Sequence, residues 1–290
     1  MGSKTKKIKN MKLIIHGGFF SESSTNSETK IAKQESLKRI LLSSYDYLKN
    51  HSAFETVIHA VEQLEDDLLF NAGIGSQIQS DGKIRMSASV MDGTSKKFSG
   101  VINIENVKNP IRVAEKLMNF DDRVLGGEGA IKFARANHFT EFNPEIPQRR
   151  SEFEEKLKSL GTGTVGCVAL DNNGQIAAAT STGGKGFEMA GRISDSATTA
   201  GNYANEFCGI SCTGVGEDIV SGAVATKIGV RMADGFEIEA AVEKTFKELT
   251  EFDGFAGAIV LDAQGNFYHR DSHPSMVFAS YDGQQFEVFE

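Results

Sequence analysis

The chain has 290 residues, 40% of them hydrophobic, and a net charge of −8. That length buries a substantial core in one or two domains. The acidic balance argues against broad nucleic-acid binding, and no run approaches the roughly 18 apolar residues of a membrane span. Residues 1–11 read as a basic tail followed by too short an apolar run for a signal peptide. Lys12 to Ile15 reads as a short apolar strand, closed by a turn at His16-Gly17-Gly18, with His16 a satisfied histidine at the strand end. Ser21 to Thr29 is polar and loop-like. Ile31 to Leu48 shows helical spacing, with Leu37, Ile40, Leu41 and Tyr45 on one face, and Phe54 to Leu64 repeats the pattern with Val57, Ile58, Val61 and Leu64. Glu65-Asp66-Asp67 reads as a solvated helix end. Asn71, before a glycine-rich turn, reads as a left-handed turn residue, a conformation asparagine tolerates.

Ile84 to Met91 and Phe98 to Ile104 read as strands. Asn109 and Pro110 start a helix, asparagine as N-cap and proline in the first turn, running to about Asn119. Glu128 to Ala136 is another helix. His138 to Leu160 is charged and broken by Pro144 and Pro147, which predicts a mobile linker over about 138–162. Val165 to Leu170 is a buried strand, Asp171 to Gly174 a turn, and Ile176 to Thr180 the return strand of a hairpin. Thr164 therefore opens a central strand directly after Gly163, and Thr180-Ser181-Thr182 ends its partner. A threonine hydroxyl is a weak nucleophile that needs an adjacent base. A cut between Gly163 and Thr164 would supply one, because a free α-amine has an unperturbed pKa of about 8. On the hairpin alone, the simpler reading is that Thr164 is a β-branched strand opener and Gly163 a turn residue.

Arg192 and Asp195 lie three apart on a turn-like segment. They make either a surface ion pair or a clamp, in which the guanidinium grips a carboxylate and Asp195 holds an ammonium. Thr213-Gly214-Val215-Gly216-Glu217 reads as a tight strand-to-helix turn opening a helix from Asp218 to Met232, whose amides favour developing negative charge. Phe236 to Leu249 is the last helix, and Gly257 to Leu261, Asn266 to Tyr268 and Met276 to Phe278 are strands. Cys167, Cys208 and Cys212 lack zinc-site spacing. An odd number of them on apparent strands fits reduced, buried thiols in a cytoplasmic protein. This order of elements predicts an α/β protein with two glycine-punctuated sheets.

Several blocks resemble, in order, the plant-type asparaginase and isoaspartyl peptidase family of N-terminal nucleophile hydrolases: Ile15-His16-Gly17-Gly18, Leu69 to Ser76, Met91-Asp92-Gly93, Gly161 to Gly184, Gly191 to Ser196 and Ser211 to Glu217. The likeness runs from about Lys12 to the C-terminus. It implies a four-layer αββα sandwich, one domain built from two halves, 12–163 and 164–290, separated by cleavage between Gly163 and Thr164. It also implies a dimer of αβ heterodimers. The implied chemistry is hydrolysis of β-aspartyl dipeptides and asparagine through an acyl-enzyme. Thr164 is the implied nucleophile, supported by Thr182 and positioned by Asn71. Thr213 and the Gly214 amide form the implied oxyanion hole. Arg192 binds the substrate carboxylate, and Asp195 and the Gly216 carbonyl bind its ammonium. No redox or organic cofactor is implied, but a structural sodium ion is, held by the backbone carbonyls of Leu64, Glu65, Asp67, Phe70, Ala72 and Ile74. The chain departs from the family pattern at Phe19-Phe20, Arg85, Ser87, Ser194, Ala197 and His269 to Ser275. Two alternatives remain: an amidase for glycosylasparagine, and a binding protein that never matures.

Overall fold

Along the chain the strands are β1 (Lys12–Phe19), β2 (Met86–Asp92), β3 (Lys97–Ile104), β4 (Val124–Gly126), β5 (Val165–Leu170) and β6 (Ile176–Thr182). They continue with β7 (Asn202–Ala204), β8 (Cys208–Gly214), β9 (Ala256–Asp262), β10 (Phe267–Asp271), β11 (Met276–Tyr281) and β12 (Phe286–Val288). They form an eight-stranded sheet, order β12-β11-β1-β5-β6-β2-β3-β4, and a four-stranded sheet, order β10-β9-β8-β7. The computed structural model describes residues 11–20, 27–155, 163–273 and 275–289. Helices α1 (Ser27–Leu48), α2 (Ala53–Glu65) and α3 (Pro110–Leu117) pack on the larger sheet. Helices α4 (Gly127–Ala136) and α5 (Pro147–Glu154) follow. Of α6 (Gly216–Gly222), α7 (Val224–Ala233) and α8 (Ile238–Leu249), α7 and α8 pack on the smaller sheet. The other faces of the two sheets meet where β5 and β6 lie against β8. Every residue of β5 and β6 is buried, which is why their sequences run apolar and small without the alternation of a half-exposed strand. No helix among the described residues is long and apolar enough to cross a membrane.

Four sequence expectations change. First, β1 does not stop at Ile15 but continues through His16-Gly17-Gly18 to Phe19, because His16 still pairs with both Gly166 and Phe278. The register shifts between His16 and Phe19, where Gly18 takes φ +87°, a conformation open to glycine. Second, the helix expected from Asp218 to Met232 is two helices. Ala223 is left-handed (φ 47°, ψ 43°), and a Cβ on Gly222 would lie 2.7 Å from Leu249, so the chain bends to pass α8. Third, the segment expected to be a linker contains α5, started by Pro147 and tied by Gln148–Glu152 and Arg149–Glu152 pairs. Arg149 Nε also donates to the Gly75 carbonyl at 3.0 Å, and Phe153 stacks on Phe187. The remainder of that segment, 156–162, lies outside the described residues, as do 1–10, 21–26 and Pro274.

Fourth, the acidic turn after α2 is only partly a solvated end: Asp66 is exposed, Asp67 half-buried and Glu65 buried. Glu65 is fully buried, and its Oε1 accepts from Ser181 Oγ (2.6 Å) and the Ile111 amide (3.1 Å). Asp67 is held by Ser36 and Arg39, and Asp66 by Lys108 and Asn109. Asn109 precedes α3 as expected but makes no side-chain cap, its amide being used on Asp66. Asn71 is not left-handed either; its backbone and side chain are both engaged in the site described next.

Candidate active site

The hairpin of β5 and β6 sets Val165 opposite Ser181, so Thr164 and Thr182 stand together at one end of the central strands. Thr164 Oγ1 donates to Thr182 Oγ1 at 3.2 Å, and the Gly184 amide donates to that same Thr182 oxygen at 3.2 Å. Thr164 is 6% exposed. Asn71 braces this corner. Its carbonyl accepts from the Gly183 amide (2.9 Å), its Nδ2 donates to the Gly184 carbonyl, and its Oδ1 accepts from the Gln77 amide (2.9 Å). A Cβ on Gly163 would lie 2.6 Å from Asn71 Cβ, so the residue before Thr164 must be glycine to lie this close.

Across the sheet interface the facing residues run in opposite directions. Val168 lies against Gly209, and Gly166 against Ser211. Thr213 Oγ1 is buried with no hydrogen-bond partner. Gly214 takes φ +136°, and a Cβ there would lie 2.6 Å from the Phe255 carbonyl. Behind this turn Arg192, Asp195 and Gly216 converge. A Cβ on Gly216 would lie 2.6 Å from Arg192 Nη2 and 2.9 Å from Asp195 Oδ1. Asp195 Oδ2 is buried and lacks a hydrogen-bond partner. Burial pushes its carboxyl up to about 7, with Arg192 pulling down and Glu217 adding to the rise. An unmet buried polar group costs about 1–3 kcal/mol. Two of them, an acidic one and a hydroxyl, on neighbouring segments mark a place shaped for a polar ligand.

The residues that depart from the family pattern behave differently from one another. Ser194 turns its hydroxyl onto the Ser196 amide (3.3 Å), capping the 3₁₀ turn of Asp195–Ala197. Phe19 is buried against Phe255, which in turn lies against His273 (centroids 4.7 and 4.8 Å). Phe20 lies against Phe289, and His269 covers Phe278 from within β10. Arg85 pairs with Asp81 and Glu105. The three thiols are free and buried, and burial pushes Cys208 up to about 12.

Sequence reasoning left three features without a role. His16 Nε2, Ser211 Oγ and Thr180 Oγ1 form a buried chain with steps of 2.8 and 2.7 Å under Gly166. Burial pushes the imidazole down to about 3, opposed in part by the Thr164 backbone, so it stays neutral at ordinary pH. Glu65 reaches Ser181, next to Thr182, with its carboxyl pushed up to about 8 chiefly by burial. Glu217 grips Arg192. The sequence signal for the first was hydroxyl residues inside otherwise apolar strands. In the loop from Leu64 to Ile74, Gly73 and Gly75 close over the carbonyls of Glu65 and Phe70 where any Cβ would collide. In the same loop the carbonyls of Leu64, Asp67 and Ala72 accept from the amides of Asp67, Phe70 and Gly75.

A sequence profile described as Asparaginase matches residues 9–290. An isoaspartyl peptidase/L-asparaginase of Synechocystis sp. is 42% identical, over 94% of this chain and 88% of that protein. A plant-type L-asparaginase of Pyrococcus furiosus is 38% identical over 92% and 95%. An isoaspartyl peptidase/L-asparaginase of Xenopus laevis is 33% identical over 95% and 94%.

Proposed function

This chain belongs to the asparaginase family, and from that premise we propose that it is a self-cleaving threonine amidohydrolase of β-aspartyl dipeptides and L-asparagine. The observation that carries the reading is the buried Thr164–Thr182 hydroxyl pair directly after Gly163, at the end of the central strands. Cleavage of the Gly163–Thr164 bond turns the Thr164 amide nitrogen into an amine. Thr164 Oγ1 then attacks the side-chain carbonyl carbon of the bound aspartyl group, and its proton passes to that amine. Thr213 Oγ1 and the Gly214 amide take the developing oxyanion. The C–N bond breaks, the leaving nitrogen carries off the proton, and a β-aspartyl ester remains on Thr164. Water, deprotonated by the same amine, cleaves that ester and releases aspartate. Throughout, Arg192 holds the α-carboxylate while Asp195 and the Gly216 carbonyl hold the α-ammonium. Asn71 keeps Gly183 and Gly184 against Thr182.

The reading includes a four-layer αββα sandwich, a dimer of αβ heterodimers and a cytoplasmic setting. It includes no cofactor for the chemistry. A sodium ion would be held by the carbonyls of Leu64, Glu65, Asp67, Phe70, Ala72 and Ile74, where it would supply only local order. Intact mass and a hydrolysis assay test the proposal together. Wild type should resolve into fragments of residues 1–163 and 164–290 and release aspartate. Thr164→Ala should remain one mass and release none. A wild type that stays whole and inert after prolonged incubation would overturn it.

A further inference from the structure

Glu217 follows Gly216 in the first turn of α6 and makes a two-point contact with Arg192. Arg192 Nε donates to Oε1 at 2.9 Å and Nη2 to Oε2 at 2.8 Å. The arginine side chain is 13% exposed and the glutamate 50%, so the contact forms the outer wall of the site. A guanidinium offers two edges for such a grip. Glu217 uses the edge that contains Nε, the one nearest the chain, and leaves Nη1 unused. The tip so fixed is the tip that lies over Gly216 and Asp195, where a Gly216 Cβ would be 2.6 Å from Nη2. On the far side Lys185, from the glycine-rich loop after β6, sits 3.4 Å from Glu217 Oε1. Lys185 adds a second cation beside Arg192 and offsets part of the negative charge that Glu217 and Asp195 bring.

We propose that Glu217 is a positioning residue: it anchors Arg192 by the Nε edge so that the Nη1 side meets the α-carboxylate of an aspartyl ligand, while Lys185 offsets the charge Glu217 brings. The inference rests on the reading of Arg192 as the carboxylate clamp. Arginine on its own is a long chain with several rotatable bonds, and one-edge anchoring removes that freedom before the ligand arrives. The device makes the site selective for ligands with a free α-carboxylate, since only they complete the second edge of the guanidinium.

The test compares two ligands on matured protein by titration calorimetry: L-aspartate, and its α-amide, which keeps the ammonium but lacks the α-carboxylate. Wild type should prefer aspartate. Glu217→Gln should weaken aspartate binding roughly tenfold, the low end of what outer supporting contacts are worth at functional sites, and should barely alter binding of the α-amide. The preference therefore collapses, and for a β-aspartyl dipeptide the loss falls on KM rather than kcat. Lys185→Met, at an exposed position, should weaken aspartate in the same direction by less. Aspartate bound as tightly or more tightly by Glu217→Gln would show that Glu217 competes with the ligand, overturning the inference. Equal losses for both ligands would do so too, as a general loosening of α6. A wild type that hydrolyses the dipeptide but binds both ligands alike would also overturn it and leave the hydrolase reading standing. A wild type that neither hydrolyses nor binds would remove the clamp itself.

Discussion

On the proposed reading Asp195 has two demands on it: it is a buried side chain, which burial favours as the neutral acid, and it would be the anion that receives an ammonium. Burial pushes that carboxyl up to about 7. The sign follows directly. Above pH 7 the group is ionised and ready for the ammonium; below it, each pH unit removes about tenfold of the competent form. For an asparagine or β-aspartyl substrate, KM should therefore be level above pH 7 and rise as pH falls from 7 toward 5.5. Asp195→Asn should bind poorly and show no such slope. A wild-type KM independent of pH over that interval would contradict the assignment of Asp195 to the ammonium. At this scale Thr164, Thr182, Arg192, Asp195 and Thr213 are singled out by the resemblance of their sequence blocks to a known family; on residue pattern alone Thr164 reads as a strand opener and Arg192 with Asp195 as a surface ion pair. The contact of Glu217 with Arg192 was not legible, because the choice of edge on the guanidinium is a matter of side-chain direction and no spacing encodes it. Neither was the burial of Glu65, whose partners Ser181 and Ile111 are far away in the chain.

The contact between the sheets is set by missing side chains. Gly166 faces Ser211 across the interface, and a Cβ there would run into Ser211 Oγ and His16 Nε2 and lie 2.8 Å from Ser211 Cβ. Gly166→Ala should therefore overpack the interface, costing about 1–3 kcal/mol, and lower the melting temperature by roughly 2–4 °C per kcal/mol for a protein near this size. Thermal melts of wild type, Gly166→Ala and Gly166→Ala with Ser211→Gly decide it: the second change should restore part of the loss. A single mutant as stable as wild type would mean the interface has room. Long elements announced themselves in sequence, α2 by its apolar stripe and β5 by its unbroken apolar run; the capping box of Ser52 and Glu55 that starts α2 emerged only in the structure. Strands β4, β7 and β12 did not, since three residues carry no period. The break at Ala223 escaped because its cause, the passage of Gly222 by Leu249 of α8, is tertiary. Helix α5 escaped because prolines and charge outweighed its i,i+3 and i,i+4 pairs.

Cleavage at Gly163 would leave a second fragment of 290 − 163 = 127 residues, yet the strand order does not separate along that line. In the larger sheet β1, from the first fragment, lies between β11 and β5 of the second, and β2 pairs with β6. The two fragments thus share three strand-to-strand seams within one sheet, and the smaller sheet, wholly from the second fragment, packs against β1 as well as β5 and β6. Parting them would break those ladders and open one continuous core, which is unfolding rather than dissociation. Matured protein should therefore show two bands on a denaturing gel but one native species containing both fragments, and in a denaturant titration both halves should lose structure in a single transition. Fragments that elute apart in native buffer, each still folded, would show that the interleaved sheet is not what holds the mature enzyme together.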